Sequence, residues 1–293
     1  MKKLCLVLLF SVIYVLNLFA QNPDTSYWDK GAVINGTYSQ TLFNYWAAGG
    51  NNAMALSGLF DGHANYKKDK INFQNSLSFG YGMQKVMDLP FRKTDDKIDL
   101  SSNFGLKATD KLYYTALLSF KTQFTDGYEY LDNGDSNRIS SLFAPAYLIY
   151  SLGMNYVPNK QFGIYASFLT GKTTFVLDTA LSNLGAFGVT PGNALRYEFG
   201  AYLKFVMNKK ITDNFIINSK LTLFSNYLKN PQNIDVDFEL LASYKIWKSL
   251  SINYQMQALY DDDILILVDP KTGYKGRRLQ LKQIFGVGLT YSF

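Results

Sequence analysis

Cysteine is nearly missing from this chain: the only one, Cys5, lies in an apolar segment at the N-terminus. A product without that segment has no thiol, which excludes disulfides and thiolate chemistry. Histidine is as scarce, with His63 alone. After Phe19 no apolar run approaches the length of a transmembrane helix. Charge of one sign is never concentrated either. The basic residues are scattered and the formal charge is only +6, so nucleic acid is not an expected partner. Linkers, low-complexity stretches and repeats of the solenoid type are absent too.

What the N-terminus does contain is an export signal. Lys2 and Lys3 precede an uncharged apolar run from Leu4 to Phe19, and Ala20 stands before the polar Gln21-Asn22-Pro23-Asp24. Leu18 departs from the small residue usual two positions before such a cleavage site. An uncleaved anchor is the alternative, but roughly sixteen apolar residues are short for a span, and Asn17 interrupts them. Cys5 comes too early for lipoprotein cleavage. The expected division is a removed signal peptide at 1–20, a periplasmic segment at 21–31 and one β-domain at 32–293. Loss of Lys2 and Lys3 takes the charge to +4, since residues 1–20 hold no Asp or Glu.

Aromatic residues are abundant: 22 Tyr, 22 Phe and 3 Trp, or 16% of the chain. Membrane barrels use such residues in girdles at both interfaces. The C-terminal stretch shows the matching backbone pattern. Leu279, Leu281, Phe285, Val287, Leu289, Tyr291 and Phe293 share one face, while Gln280, Lys282, Gly286, Gly288, Thr290 and Ser292 share the other. Only Ile284 intrudes. Alternation of period two is a strand with one oily face. Soluble strands usually stop after about 5–6 residues, whereas a tilted span needs roughly 9–11.

Eleven further stretches repeat the pattern, at residues 32–46, 53–66, 70–84, 97–108, 112–125, 142–156, 161–178, 194–207, 214–227, 234–246 and 250–261. Pro145 marks an entry or a bulge in the sixth, and Gly171 breaks the seventh. Connections after even-numbered strands are short, and most of those after odd-numbered ones are longer. Short periplasmic turns and long outer loops give that asymmetry. A secreted sandwich or solenoid is the competing fold, but only a closed membrane barrel makes long unbroken alternation obligatory. The expected fold is all-β: a transmembrane antiparallel up-and-down barrel of about twelve strands, with both ends periplasmic.

Several segments carry a family resemblance: S-Q-T-L-F-N-Y-W-A-A-G-G-N-N (39–52), R-K-T-D-D (92–96), K-T-Q-F-T-D-G-Y (121–128), F-A-P-A-Y (143–147), L-F-S-N-Y (223–227), Y-D-D-D (260–263) and the G-V-G-L of the last strand. The chain resembles a family of bacterial outer-membrane proteins defined as domain of unknown function 3078. The resemblance covers essentially all of the mature chain. It implies location and architecture, and it implies no activity.

If the oily faces meet lipid, then Asp99, Lys107, Lys121, Arg196, Glu198, Lys204, Lys220, Asp235, Asp237, Glu239, Lys245 and Lys282 point inward. Mixed signs suit either a weakly selective wet passage or a lumen closed by ion pairs. Inward glycines (Gly80, Gly82, Gly105, Gly200, Gly286, Gly288) leave space. Tyr202 and the loops 126–141 and 179–193 are placed to close it. The leading functional expectation is a passive passage for small polar solutes. The alternative is a plugged structural or surface-binding barrel, and an enzyme is the weakest reading. His63 with Asp61 on the same face would orient an imidazole, but no nucleophile or oxyanion donors accompany it. Gly171-Lys172-Thr173 has the end of a phosphate loop without its earlier glycine, since position 166 is Ala. Asp132-Asn133-Gly134-Asp135 and Asp261-Asp262-Asp263 offer oxygen for hard cations, yet turns favour these residues for backbone reasons. No cofactor and no metal site are assigned. Tyr291 and Phe293 are the expected assembly signal, and the expected partners are outer-membrane lipids, the barrel-assembly machinery and small solutes.

Overall fold

The computed structural model describes residues 27–42, 51–87, 89–131, 134–269 and 272–292. The expected signal peptide and Phe293 lie outside the described residues, as do Asp132 and Asn133. Twelve strands form one closed antiparallel barrel. They are β1 (Trp28–Thr41), β2 (Ala53–Lys68), β3 (Ile71–Val86), β4 (Arg92–Lys107), β5 (Leu112–Thr122) and β6 (Ala146–Asn159). The second half consists of β7 (Phe162–Phe175), β8 (Leu195–Thr212), β9 (Phe215–Asn226), β10 (Ile234–Trp247), β11 (Leu250–Tyr260) and β12 (Gln280–Ser292). Each strand pairs with its sequence neighbours, and β12 returns to β1 from Val33↔Ser292 to Tyr38↔Val287. Closure leaves no free edge. Among the described residues no helix is long and apolar enough to cross a membrane.

The molecule is turned inside out. Phe285 is 68% exposed and Phe168 78%, while Lys172 and Glu198 keep only 7% and 4% of their surface. Lipid solvates the outer faces, and the charged faces solvate one another. The seam between β12 and its neighbours is close. A Cβ on Gly288 would lie 2.1 Å from the carbonyl oxygen of Gly36, so only glycine fits there. Beside it runs a polar chain. Asn35 Nδ2 donates to Thr290 Oγ1 at 2.8 Å, Ser251 and Thr290 hydroxyls meet at 2.7 Å, and Ser243 Oγ donates to Asn253 Oδ1 at 2.6 Å.

Short turns at one end and long connections at the other follow the expected alternation. Where spans differ, the cause is local. β1 begins at Trp28, four residues before the expected start, and β4 begins at Arg92. Residues 92–96 stand where a strand rises past the oily zone, and nothing there requires one apolar face. β6 begins at Ala146, directly after Pro145, as an entry proline predicts. The outer loops have structure of their own. Residues 127–140 fold into a hairpin of Gly127–Tyr130 with Ser136–Ser140. Helix α1 (Thr179–Asn183) is capped by Asp178, whose side chain accepts from Leu181 N. Above the rim Ala144, Val176, Leu181 and Val189 form a small apolar core.

Candidate functional site: a lumen filled by ion pairs

Register decides which side chains meet. Lys121 stands opposite Asp99 across β5–β4, and Lys220 opposite Glu239 across β9–β10. The contacts then leave the wall. Lys97 Nζ on β4 reaches Glu239 Oε2 on β10 at 2.5 Å. In the ring of twelve these strands are six places apart, so this pair spans the diameter. Lys121 meets Asp237 at 2.8 Å and Glu239 at 3.3 Å. Lys220 meets Asp99 at 2.9 Å and Glu239 at 3.1 Å. Lys282 on β12 reaches Asp95 on β4 at 2.7 Å. Glu239 thus gathers three ammonium groups.

Nearer the outer mouth Lys172 is the hub, 2.7 Å from Asp235, 3.5 Å from Glu198 and 3.7 Å from Asp261. Arg196 bridges Glu198 at 3.0 Å and Asp263 at 2.9 Å, and Lys229 also holds Asp263 at 2.9 Å. Burial pushes the Asp263 carboxyl up. The Lys229 hydrogen bond and the Arg196 and Lys229 charges outweigh it and hold the group below its usual 3.8. Gly188 of the loop 179–193 lies against this cluster: a Cβ there would come 2.5 Å from Arg196 Nη1 and 3.3 Å from the Asp263 carbonyl. Two outer loops therefore meet over the mouth. The hairpin joins from its side, where Arg138 Nη2 lies 2.6 Å from Asp178.

Beside the charges sits an apolar cluster of Leu117, Tyr165, Tyr202 and Phe224, all at most 5% exposed, with Ile149 packed against it. Lys172 Nζ stands 5.0 Å from the Phe224 ring, a cation–π contact. Ion pairs, aromatic rings and closing loops together occupy the outer half of the lumen.

Of the inward residues expected from alternation, Asp99, Lys121, Arg196, Glu198, Lys220, Asp235, Asp237, Glu239 and Lys282 are brought into this network. Lys204 is beside it, 3.4 Å from Ser101 Oγ, and makes no ion pair among the described residues. Lys107 and Lys245 stand apart from it. Lys107 pairs with Asp110 at a short turn at 2.7 Å, and Lys245 is exposed near the end of β10. The inward glycines do not leave open space. A Cβ on Gly200 would lie 1.8 Å from Ser225 O and one on Gly82 2.7 Å from Thr94 Oγ1, so these positions let neighbours approach. Tyr202 and the loop 179–193 do close inward as expected.

Alternation alone misses Lys172. Between Ser167 and Thr170 the wall strand β7 bulges, and Phe168 and Leu169 both face outward, 78% and 58% exposed. The phase flips there, so Lys172 and Thr174 face inward. The alternation also leaves out Lys97, Asp95 and Leu117, although each lies in register with an inward neighbour. His63 faces the lumen opposite Ser76 and is exposed, and no described residue hydrogen-bonds its imidazole. Among the described residues no cluster of metal-binding side chains occurs.

Residues 38–128 match the family described as Protein of unknown function (DUF3078). The match bears out the resemblance read from the sequence and includes Asp61, Lys97, Asp99 and Lys121 of the lumen. The chain is also similar to solved structures at low identity. One is the translocator domain of the autotransporter NalP from Neisseria meningitidis: 12% identity, 96% of this chain and 92% of that chain covered, TM-score 0.37. Others are the NanC porin (10%, 88% and 98%, TM-score 0.39) and the toluene transporter TodX of P. putida (14%, 93% and 80%, TM-score 0.31). Likenesses this distant transfer no residue role. No curated protein matches the chain.

Proposed function

We propose that this outer-membrane-type barrel has a closed lumen and serves as a rigid anchor that displays its outer loops as a working surface. The observation that carries this reading is the set of ion pairs across the lumen, above all Lys97–Glu239 on its diameter. A buried ammonium and carboxylate that satisfy each other hold both walls, and separating them leaves charges without solvent. Passage of small polar solutes would require Lys97, Lys121 and Lys220 to part from Asp99, Asp237 and Glu239. The reading assigns no catalysis to His63, and it places signal-peptide removal and delivery by the barrel-assembly machinery before insertion.

Single-channel recording in planar bilayers tests it. The unaltered protein is expected to be silent, and Asp237→Asn with Glu239→Gln to give conductance steps. Steady steps from the unaltered, correctly folded protein, with ion preference changed by Lys121→Glu, would restore the solute-passage reading. Trimming residues 126–141 or 262–278 is expected to abolish surface binding while leaving permeability unchanged.

A further inference from the structure

The charge of this barrel is uneven along its axis. Ion pairs neutralise the lumen, but at the short-turn end basic groups predominate. Lys68 and Lys70 flank the β2–β3 turn, Lys111 ends the β4–β5 turn and Lys160 lies in the β6–β7 turn. β8 leads to its turn through Lys209 and Lys210, Lys248 forms the β10–β11 turn, and Lys30 stands at the same level on β1. Lys67, Lys107 and Lys245 add to the rim from its lumenal side. Against these eleven lysines stand four described carboxylates, Asp29, Asp69, Asp110 and Asp213. Asp110 and Asp213 pair with Lys107 and Lys210, but their side chains are 92% and 95% exposed, so water screens both pairs.

A second observation gives the collar its depth. Outward aromatic residues lie within it and just inside it: Trp28 (41% exposed) and Trp247 (67%) stand among the lysines, and Tyr156 (43%) and Tyr244 (49%) lie a turn's width farther into the membrane span. Three lysines stand over such rings. Lys30 Nζ is 5.6 Å from the Trp28 ring, Lys68 4.6 Å from Tyr27 and Lys248 5.2 Å from Trp247. Tryptophan and tyrosine settle where hydrocarbon gives way to head groups, and a lysine stem reaches onward to place its ammonium among the phosphates.

We propose that the short-turn end is a collar for anionic phospholipid head groups of the periplasm-facing leaflet. Every short turn carries a lysine in it or beside it, so the positive charge encircles the barrel, as the surrounding lipid does. Lys30, Lys68 and Lys209 sit on outward strand positions, where neighbouring lipid is within reach. An anionic wall polymer lying below the barrel would meet only the turn tips and give the aromatic belt no part. The inference rests on the membrane barrel and is independent of whether the lumen conducts.

The test uses spin-labelled lipids with the refolded full barrel in phosphatidylcholine vesicles. The unaltered protein is expected to favour labelled phosphatidylglycerol over labelled phosphatidylcholine by roughly threefold at low salt, as clustered lysines at a surface predict. Half-molar sodium chloride is expected to remove the preference. Replacing Lys68, Lys70, Lys111, Lys160, Lys209 and Lys248 by Gln should bring the ratio to one, and the six-arginine version should restore it. Heat-shifted gel mobility confirms that each variant is folded. A ratio of one in the unaltered protein overturns the proposal, as does a preference that survives in the folded glutamine variant. Lysine-dependent pelleting with cell-wall sacculi, without lipid preference, would assign the collar to the wall polymer instead.

Discussion

Lys172 is the residue on which most of the outer lumen depends. It faces three carboxylates, and its removal would leave Asp235 and Asp261 without their ammonium partner and Glu198 with Arg196 alone. Lys172→Met is expected to cost about 3–5 kcal/mol in urea unfolding from vesicles, the usual size for breaking a buried charge cluster. Lys172→Arg should recover part of it. Asp263 makes a different prediction. Its carboxyl is held below 3.8, so the contribution of its contacts is present above that value and is lost as pH falls through the lower folded value. Pepsin cleavage within residues 179–193 is therefore expected to stay slow at pH 4 and to rise only below the ordinary aspartate range. Cleavage equal at both acidities would show that Asp263 does not hold the mouth.

At the scale of strands, the bulge in β7 explains both a success and a failure of sequence reading. Lys121, Asp237 and Glu239 could be placed inward from period-two alternation because β5 and β10 carry no register shift there. Lys172 could not, because an extra residue changes the phase midway along the strand, and the sequence signals this only by the adjacent apolar Phe168-Leu169 and by Gly171. Deleting Leu169 should remove the bulge and give simple alternation from Ser167 through Thr170 to Lys172, which stays inward, so the heat-shifted folded band is expected to persist. The seam gives a second prediction. Gly288→Val places atoms where the Gly36 backbone already lies, so closure of β12 on β1 should fail while synthesis and export continue. Tyr291 is outward and 62% exposed on that same strand. Tyr291→Ser with deletion of Phe293 is expected to lower the folded fraction in membranes, and unchanged insertion would refute an assembly role.

For the whole molecule, membrane crossing by strands was legible because lipid imposes the same condition on each of them. Twelve strands, their order and the short-long connections all follow from that condition. Which charge meets which was not legible, because partners such as Lys97 and Glu239 lie 142 residues apart and are joined only by ring closure. The cross-lumen pairs have one more consequence. A thin-walled tube resists stretching along its wall but flattens easily, since ovalising it needs only small changes in the angle between neighbouring staves. Lys97–Glu239 and its companions act as spokes fastened to opposite sides of the hoop. Lateral pressure from a crowded bilayer would then be borne in part as tension and compression through the middle of the protein, and its cross-section should stay nearly round where an empty barrel of the same staves would breathe.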